Sequence, residues 1–307
     1  MEYCRIAFLG GMDRLIYILL IAVAFMSVQS TPNDSKLAFL FLTKKTLPLA
    51  PVWANFFGNI SKTEYSIYVH TSPAHFMNCT KLGRAIYSTD AASETLFHNA
   101  TISDLRHVHW GGISVVDAEL ALFRAAYKDK RNKWFILLSE SCIPIRTFSF
   151  VKRHLLQSNL SFLDNRKGTK RYVDEFQTWK KYWAKGSQWA QLKRADIAYL
   201  LNNETQKLLN TIQTLYNSLK PSELSSKNVF CMDEHYKQVI FNTFNLKSHQ
   251  TLTYMKWSPL GGKHPLAYDL DANNTAVLIV NLNKFTNKFL FARKFYRKEI
   301  VKSDAKC

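Results

Sequence analysis

Lys36-Leu37-Ala38-Phe39-Leu40-Phe41-Leu42-Thr43 is apolar at every position between its polar ends. Successive side chains of a strand point to opposite faces, so a strand of this kind is apolar on both. It fits the interior of a parallel sheet covered on each side; a half-solvated antiparallel strand would alternate. Pro48 then predicts a helix through Phe57, because proline is favoured at a first helical position. Tyr65-Ser66-Ile67-Tyr68-Val69-His70 predicts a second strand, rich in β-branched and aromatic residues. Strand, helix and strand within about 35 residues make one βαβ unit. Open sheets of such units bind ligands at the carboxyl ends of their strands, here near Thr43 and His70.

The same alternation runs on through the chain. Ala74 to Arg106 reads as surface loop with short helical pieces, and Val108 to Gly112 as a short strand and turn. Ser114 is expected to cap a helix running to about Tyr127, with Val115, Val116, Leu120 and Phe123 on its apolar positions. Trp134 to Leu138 is a further apolar strand, ending in the polar turn Ser139-Glu140-Ser141-Cys142-Ile143-Pro144. Phe148–Gln157 and Arg194–Asn203 read as helices, and Thr251–Trp257 and Phe289–Phe295 as closing strands. Between Asn165 and Lys185, Arg and Lys alternate with Tyr and Trp, giving either a sugar- or phosphate-facing loop or a solvated basic surface. No internal repeat breaks the pattern, so one α/β domain is expected.

A net charge of +18 on 307 residues calls for an anionic partner, and 47% apolar residues exclude a disordered chain. Leu15 to Val28 is an uninterrupted apolar run, shorter than the roughly 20 residues that span a bilayer. With Arg14 snorkelling and the tail through Ser30 it forms a short signal anchor; a cleaved signal peptide ending near Val28-Gln29-Ser30 is the competing reading. The anchor reading divides the chain into a cytoplasmic tail (1–14), a membrane segment (15–30), a short stem (31–35) and a luminal domain (36–307). Either way the remainder enters the secretory pathway, which argues against a nucleic-acid partner. Glycosylation sequons at Asn33, Asn59, Asn78, Asn99, Asn159, Asn203 and Asn273 agree. Cys79, Cys142, Cys231 and Cys307 would share an oxidising lumen, and their spacing does not choose among the pairings.

Cys231-Met232-Asp233-Glu234-His235-Tyr236 sets two carboxylates side by side at the start of a predicted helix, Asp233 to Phe244. Asp233 is expected to cap it. Glu234 is a candidate general base, against the plainer reading of an acidic residue favoured by the helix dipole. There is no GxGxxG, no P-loop and no GxSxG elbow, so dinucleotide, NTPase and hydrolase readings lack an anchor. No Cys/His cluster has zinc spacing. Asp269-Leu270-Asp271 is a literal DxD of the kind that holds a metal in many sugar-nucleotide transferases, but it follows a Pro-containing turn late in the chain.

KLAFLFLT, YSIYVHTSP, WGGISVVDAE, FILLSESCIPI, KGSQW, CMDEHY, LTYMKWSP with GGKHP, and FLFARKF occur in that order from Lys36 to Phe295. In this order they resemble the Core-2/I-branching β-1,6-N-acetylglucosaminyltransferases, and most of all the plant-type branch. The resemblance implies a Golgi type II membrane enzyme of GT-A-like, Rossmann-related fold that inverts the anomeric carbon without a metal. It implies Glu234 as catalytic base, Lys294 as the cation on the leaving diphosphate with Arg293 as a second contact, and Trp257 against the acceptor sugar. Glu140, His70 and Ser187 are further candidates, His70 standing where animal members have Asp. An Arg of the animal members has no counterpart, its alignment falling near Asp271, and Lys284 or Lys288 is the expected substitute. UDP-GlcNAc is the implied donor and a glycan the acceptor; UDP-glucuronic acid as donor, or a catalytically silent glycan-binding protein, are the alternatives.

Overall fold

In a computed structural model the described residues are 35–81, 87, 90–167, 179–218, 231–261, 264–270 and 288–297. The apolar run Leu15–Val28 lies outside them, as do Asn33, Asn273, Asp271, Lys284 and Cys307. Among the described residues no helix is long and apolar enough to cross a membrane.

The first strand, β1 (Lys36–Leu42), lies between β2 (Tyr65–His70) and β3 (Asn132–Ser139), parallel to both, with Leu42 opposite His70 on one side and Ser139 on the other. The carboxyl ends of these three parallel strands are therefore level. The main sheet continues outward from β3 through β8 (Gln191–Lys193), β5 (Ser161–Phe162) and β9 (Ser248–His249). A smaller sheet joins β10 (Thr253–Met255), β12 (Phe291–Arg293) and β4 (Ile143–Pro144), the last lying just past β3. Two short pairs complete the set: β6 (Arg166–Lys167) with β7 (Ala184–Lys185), and β11 (Tyr268–Asp269) with β13 (Phe295–Tyr296).

Every residue of β1 is buried, as its double-sided apolarity requires. Ala38, Leu40 and Leu42 join the core layer under the helix Ser114–Tyr127. Leu37, Phe39 and Phe41 join the opposite layer with Trp53, Phe57 and Phe148. Phe39 meets Phe57 edge-on at 4.9 Å, and the indole of Trp53 donates to the Cys142 carbonyl at 3.1 Å. Each such ring contributes about 1.5–3 kcal/mol by burial, so this aromatic layer fixes β3 and the turn after it firmly.

Several local expectations are corrected. The helix expected from Pro48 begins at Ala50, with Pro51 in its first turn. Val108–Gly112 forms a turn and no strand. Ser114 is the first residue of its helix and caps nothing; its hydroxyl accepts the His109 N–H at 2.9 Å and closes the preceding loop. The stretch expected to be one helix from Arg194 to Asn203 splits into Arg194–Leu200 and Asn203–Ser218. No disulfide joins Cys79, Cys142 and Cys231 to one another, so none of the pairings that would link two of them is made. Asn59, Asn78, Asn99, Asn159 and Asn203 are all exposed, as glycan acceptors must be.

Candidate active site

The segment carrying Glu234 is a 3-10 turn, Met232–Glu234, followed by a separate helix, Tyr236–Thr243. It is anchored at every residue. Cys231, in the left-handed region at φ 62°, donates its N–H to Gly111 O at 2.9 Å, and the Glu234 N–H returns to Cys231 O at 3.0 Å. The Glu234 carbonyl accepts the Gly186 N–H at 2.9 Å. His235 is buried against Trp183, with ring centroids 5.1 Å apart, and its Nδ1 donates to Ala184 O at 2.8 Å. A Cβ on Gly186 would lie 1.8 Å from Asp164 O, so only glycine permits this approach. The backbone thus delivers Lys185 to Glu234: its Nζ stands 2.9 Å from Glu234 Oε2, the two side chains 28% and 30% exposed.

Beneath the turn lies a fully enclosed polar cluster. Lys237 Nζ meets Glu119 Oε2 at 2.6 Å, both side chains 0% exposed. Glu119 also accepts the Tyr236 hydroxyl at 2.7 Å and Gln188 Nε2 at 2.9 Å, while Lys237 donates to Asp233 O at 3.0 Å. This satisfaction is what a buried ion pair needs to be tolerated. Asp233 departs from its expected role: it caps no helix, and its Oδ1 is buried without a hydrogen-bond partner. Burial, reinforced by the charge of Glu119, pushes its carboxyl up to about 7 against the pull of Lys237.

The second half of the site forms where β3 ends. The Arg293 guanidinium lies over the Trp189 indole at 4.6 Å, and its Nε is buried without a partner. Phe295 N–H donates to Ser141 O at 3.0 Å and Tyr268 N–H to Lys294 O at 2.9 Å, holding Lys294 beside the β3 turn. Burial pushes the Glu140 carboxyl up, while Arg293, Lys294 and Lys44 oppose this by favouring its charged form. Lys185-Gly186-Ser187-Gln188-Trp189 joins the two halves: Lys185 reaches Glu234 and Trp189 supports Arg293. Four residues of chain span at most about 14 Å, so one short segment carries the contacts to both Glu234 and Arg293. Ser187 is tied into this segment: its hydroxyl accepts the Trp189 N–H at 3.2 Å and its carbonyl takes Gln238 Nε2 at 3.4 Å.

The remaining candidates fall at various distances from this centre. Trp257 follows β10 and is 49% exposed, so it is not a core residue. His70 is fully buried; its Nε2 accepts the Arg106 N–H at 2.9 Å, latching the following loop to the end of β2. Burial lowers it to about 4, so it is neutral at physiological pH. Asp269 belongs to β11 and pairs opposite Tyr296, leaving Asp271 outside the described residues. Lys288 donates to Gln250 Oε1. Sequence reasoning missed Glu119, Lys185 and Lys237. Glu119 carried a signal, a carboxylate on an otherwise apolar helix face; Lys185 was one lysine among many.

Sequence comparison identifies the family to which this α/β chain belongs. The sequence model of the Core-2/I-Branching enzyme family matches residues 37–282, so the chain belongs to that family and is a glycosyltransferase acting between a sugar donor and a glycan acceptor. Its likeness is to the plant-type branch: it is 27% identical over 325 aligned positions to Glycosyltransferase BC10 of Oryza sativa subsp. japonica, covering 90% of this chain and 78% of that protein. Among solved structures, mouse xyloside xylosyltransferase 1 aligns with 84% of this chain and 97% of its own at 12% identity, with a TM-score of 0.31, too loose a likeness to build upon.

Proposed function

We propose that the chain transfers a sugar from a uridine diphosphate donor to a glycan hydroxyl by a single inverting displacement without a metal. Glu234 takes the proton of the acceptor hydroxyl as its oxygen bonds to the anomeric carbon. The bond from that carbon to the diphosphate breaks in the same step, and Arg293 and Lys294 receive the departing negative charge. Trp257 offers its indole face to the C–H face of the acceptor sugar. The observation that carries the reading is the Lys185–Trp189 segment, which holds the base at one end and the Arg293 guanidinium at the other. The metal-free step rests on that basic pair together with the family resemblance. GlcNAc from UDP-GlcNAc, in β-1,6 linkage, is the proposed transfer. The proposed setting is the Golgi lumen, on a single-pass type II anchor at Leu15–Val28.

A donor panel containing UDP-GlcNAc and UDP-glucuronic acid, read by UDP release from the purified protein with and without EDTA, tests the proposal. UDP release from UDP-GlcNAc that EDTA leaves undiminished is expected. Turnover of UDP-glucuronic acid alone would correct the donor. Inhibition by EDTA reversed by Mn²⁺ would overturn the metal-free step and return attention to Asp269 and Asp271.

A further inference from the structure

The resemblance asks for a further cation upstream of Arg293, and Lys288, one of the expected substitutes, is turned onto Gln250. The fold offers a different lysine. Leu42 of β1 stands opposite Ser139 of β3, so the residues that follow, Thr43-Lys44 and Glu140-Ser141, leave the sheet side by side. Ser141 in turn binds the backbone just after Lys294. Lys44 therefore emerges at the same sheet edge as Arg293 and Lys294, though it is distant from them in sequence.

We propose that Lys44 is a third cation of the donor diphosphate subsite, supplied from the end of the central strand. This deepens the donor reading above and rests on it. The backbone around Lys44 is built to hold one course. Thr43 gives its N–H and its hydroxyl to His70 O at 2.9 and 3.1 Å, and Thr71 gives its hydroxyl to Lys45 O at 2.6 Å. The side chain of Lys44 is exposed and makes no hydrogen bond or ion pair among the described residues. Together with the buried, unpartnered Nε of Arg293, it leaves donor capacity at the carboxyl ends of the strands, where such sheets bind phosphates. Glu140 supports the placement, since its carboxyl is influenced by Lys44 as well as by Arg293 and Lys294. An ammonium contacts phosphate as a point charge, and a charge-assisted bond of this kind is among the stronger polar contacts.

Isothermal titration of the full-length protein with UDP and with UMP, across K44M, K44E and K288M, tests the assignment. K44M is expected to weaken UDP about tenfold, K44E to weaken it further, and UMP to lose less than UDP. K288M should stay within about twofold of wild type. Melting temperatures confirm folding, which an exposed lysine does not limit. UDP affinity unchanged in both K44M and K44E, or a loss in K288M equal to that in K44M, would overturn the role of Lys44 alone. A wild-type protein that binds neither nucleotide would defeat the donor reading, and this proposal with it.

Discussion

Lys185 Nζ stands 2.9 Å from Oε2 of Glu234, and the next N–H along, that of Gly186, bonds the Glu234 carbonyl. Backbone and side chain of the same residue are therefore fixed by one short strand end. A carboxylate held through Oε2 keeps Oε1 available for an acceptor hydroxyl, a geometry that a rotating side chain would sample only part of the time.

Removing that clamp should cost rate and not donor binding. Lys185→Met is expected to lower kcat about 10- to 100-fold with UDP affinity within twofold, and Lys185→Arg to lose less. Steady-state kinetics beside UDP titration would show it; an unchanged kcat would reduce the ion pair to a surface contact.

The Glu119–Lys237 pair has no access to solvent, so halving it leaves a charge stranded. Lys237→Met is expected to destabilise the fold by about 3–5 kcal/mol, measured by urea unfolding. Replacing both partners with apolar residues of similar size should recover much of this loss, because the desolvation cost of both charges disappears together. A single variant as stable as wild type would contradict the enclosed pair.

Asp233 gives the fold a pH dependence of defined sign. Its carboxyl is raised to about 7 in the folded chain, so the native state binds a proton that the unfolded state has already released. Stability from this group is present at low pH and is lost as pH rises from about 4 through 7. Asp233→Asn should therefore raise the melting temperature at pH 8 by about 2 °C or more and change it less at pH 4. A gain confined to acid pH would reverse the argument.

Trp257 is exposed beside a loop whose Leu266 N–H returns to Lys256 O at 2.8 Å, which gives the indole a fixed base. Trp257→Ala is expected to raise the acceptor KM about tenfold while leaving the donor KM unchanged. A shift in the donor KM instead would place the ring on the wrong substrate.

The parts of the fold that were legible in the sequence are those with a strong local pattern. The strands β1 and β3 reveal themselves by near-continuous burial, β2 by its β-branched and aromatic residues, and the helix Phe148–Gln157 by one apolar face carrying Phe148, Val151 and Leu155. What local pattern missed is set by contacts from far along the chain. Asp233 reads as a cap because Asp at a helix start usually is one. Its surroundings come instead from Glu119, in another helix, and from Lys237, which that carboxylate holds in place. Lys185 could not be told from its basic neighbours, since only the Gly186–Glu234 hydrogen bond singles it out. Glu234 and Lys294 are singled out only by the company of ordered motifs, and Lys44 only by the register of β1 on β3.

Glu234→Gln puts the account to its most direct test. The substitution keeps size and hydrogen-bonding reach but cannot accept the acceptor proton, so transfer should fall about 100- to 10,000-fold while UDP affinity stays within about twofold of wild type. Transfer retained at more than a tenth of the wild-type rate, or UDP binding lost together with activity, would contradict the assignment of Glu234 as the base.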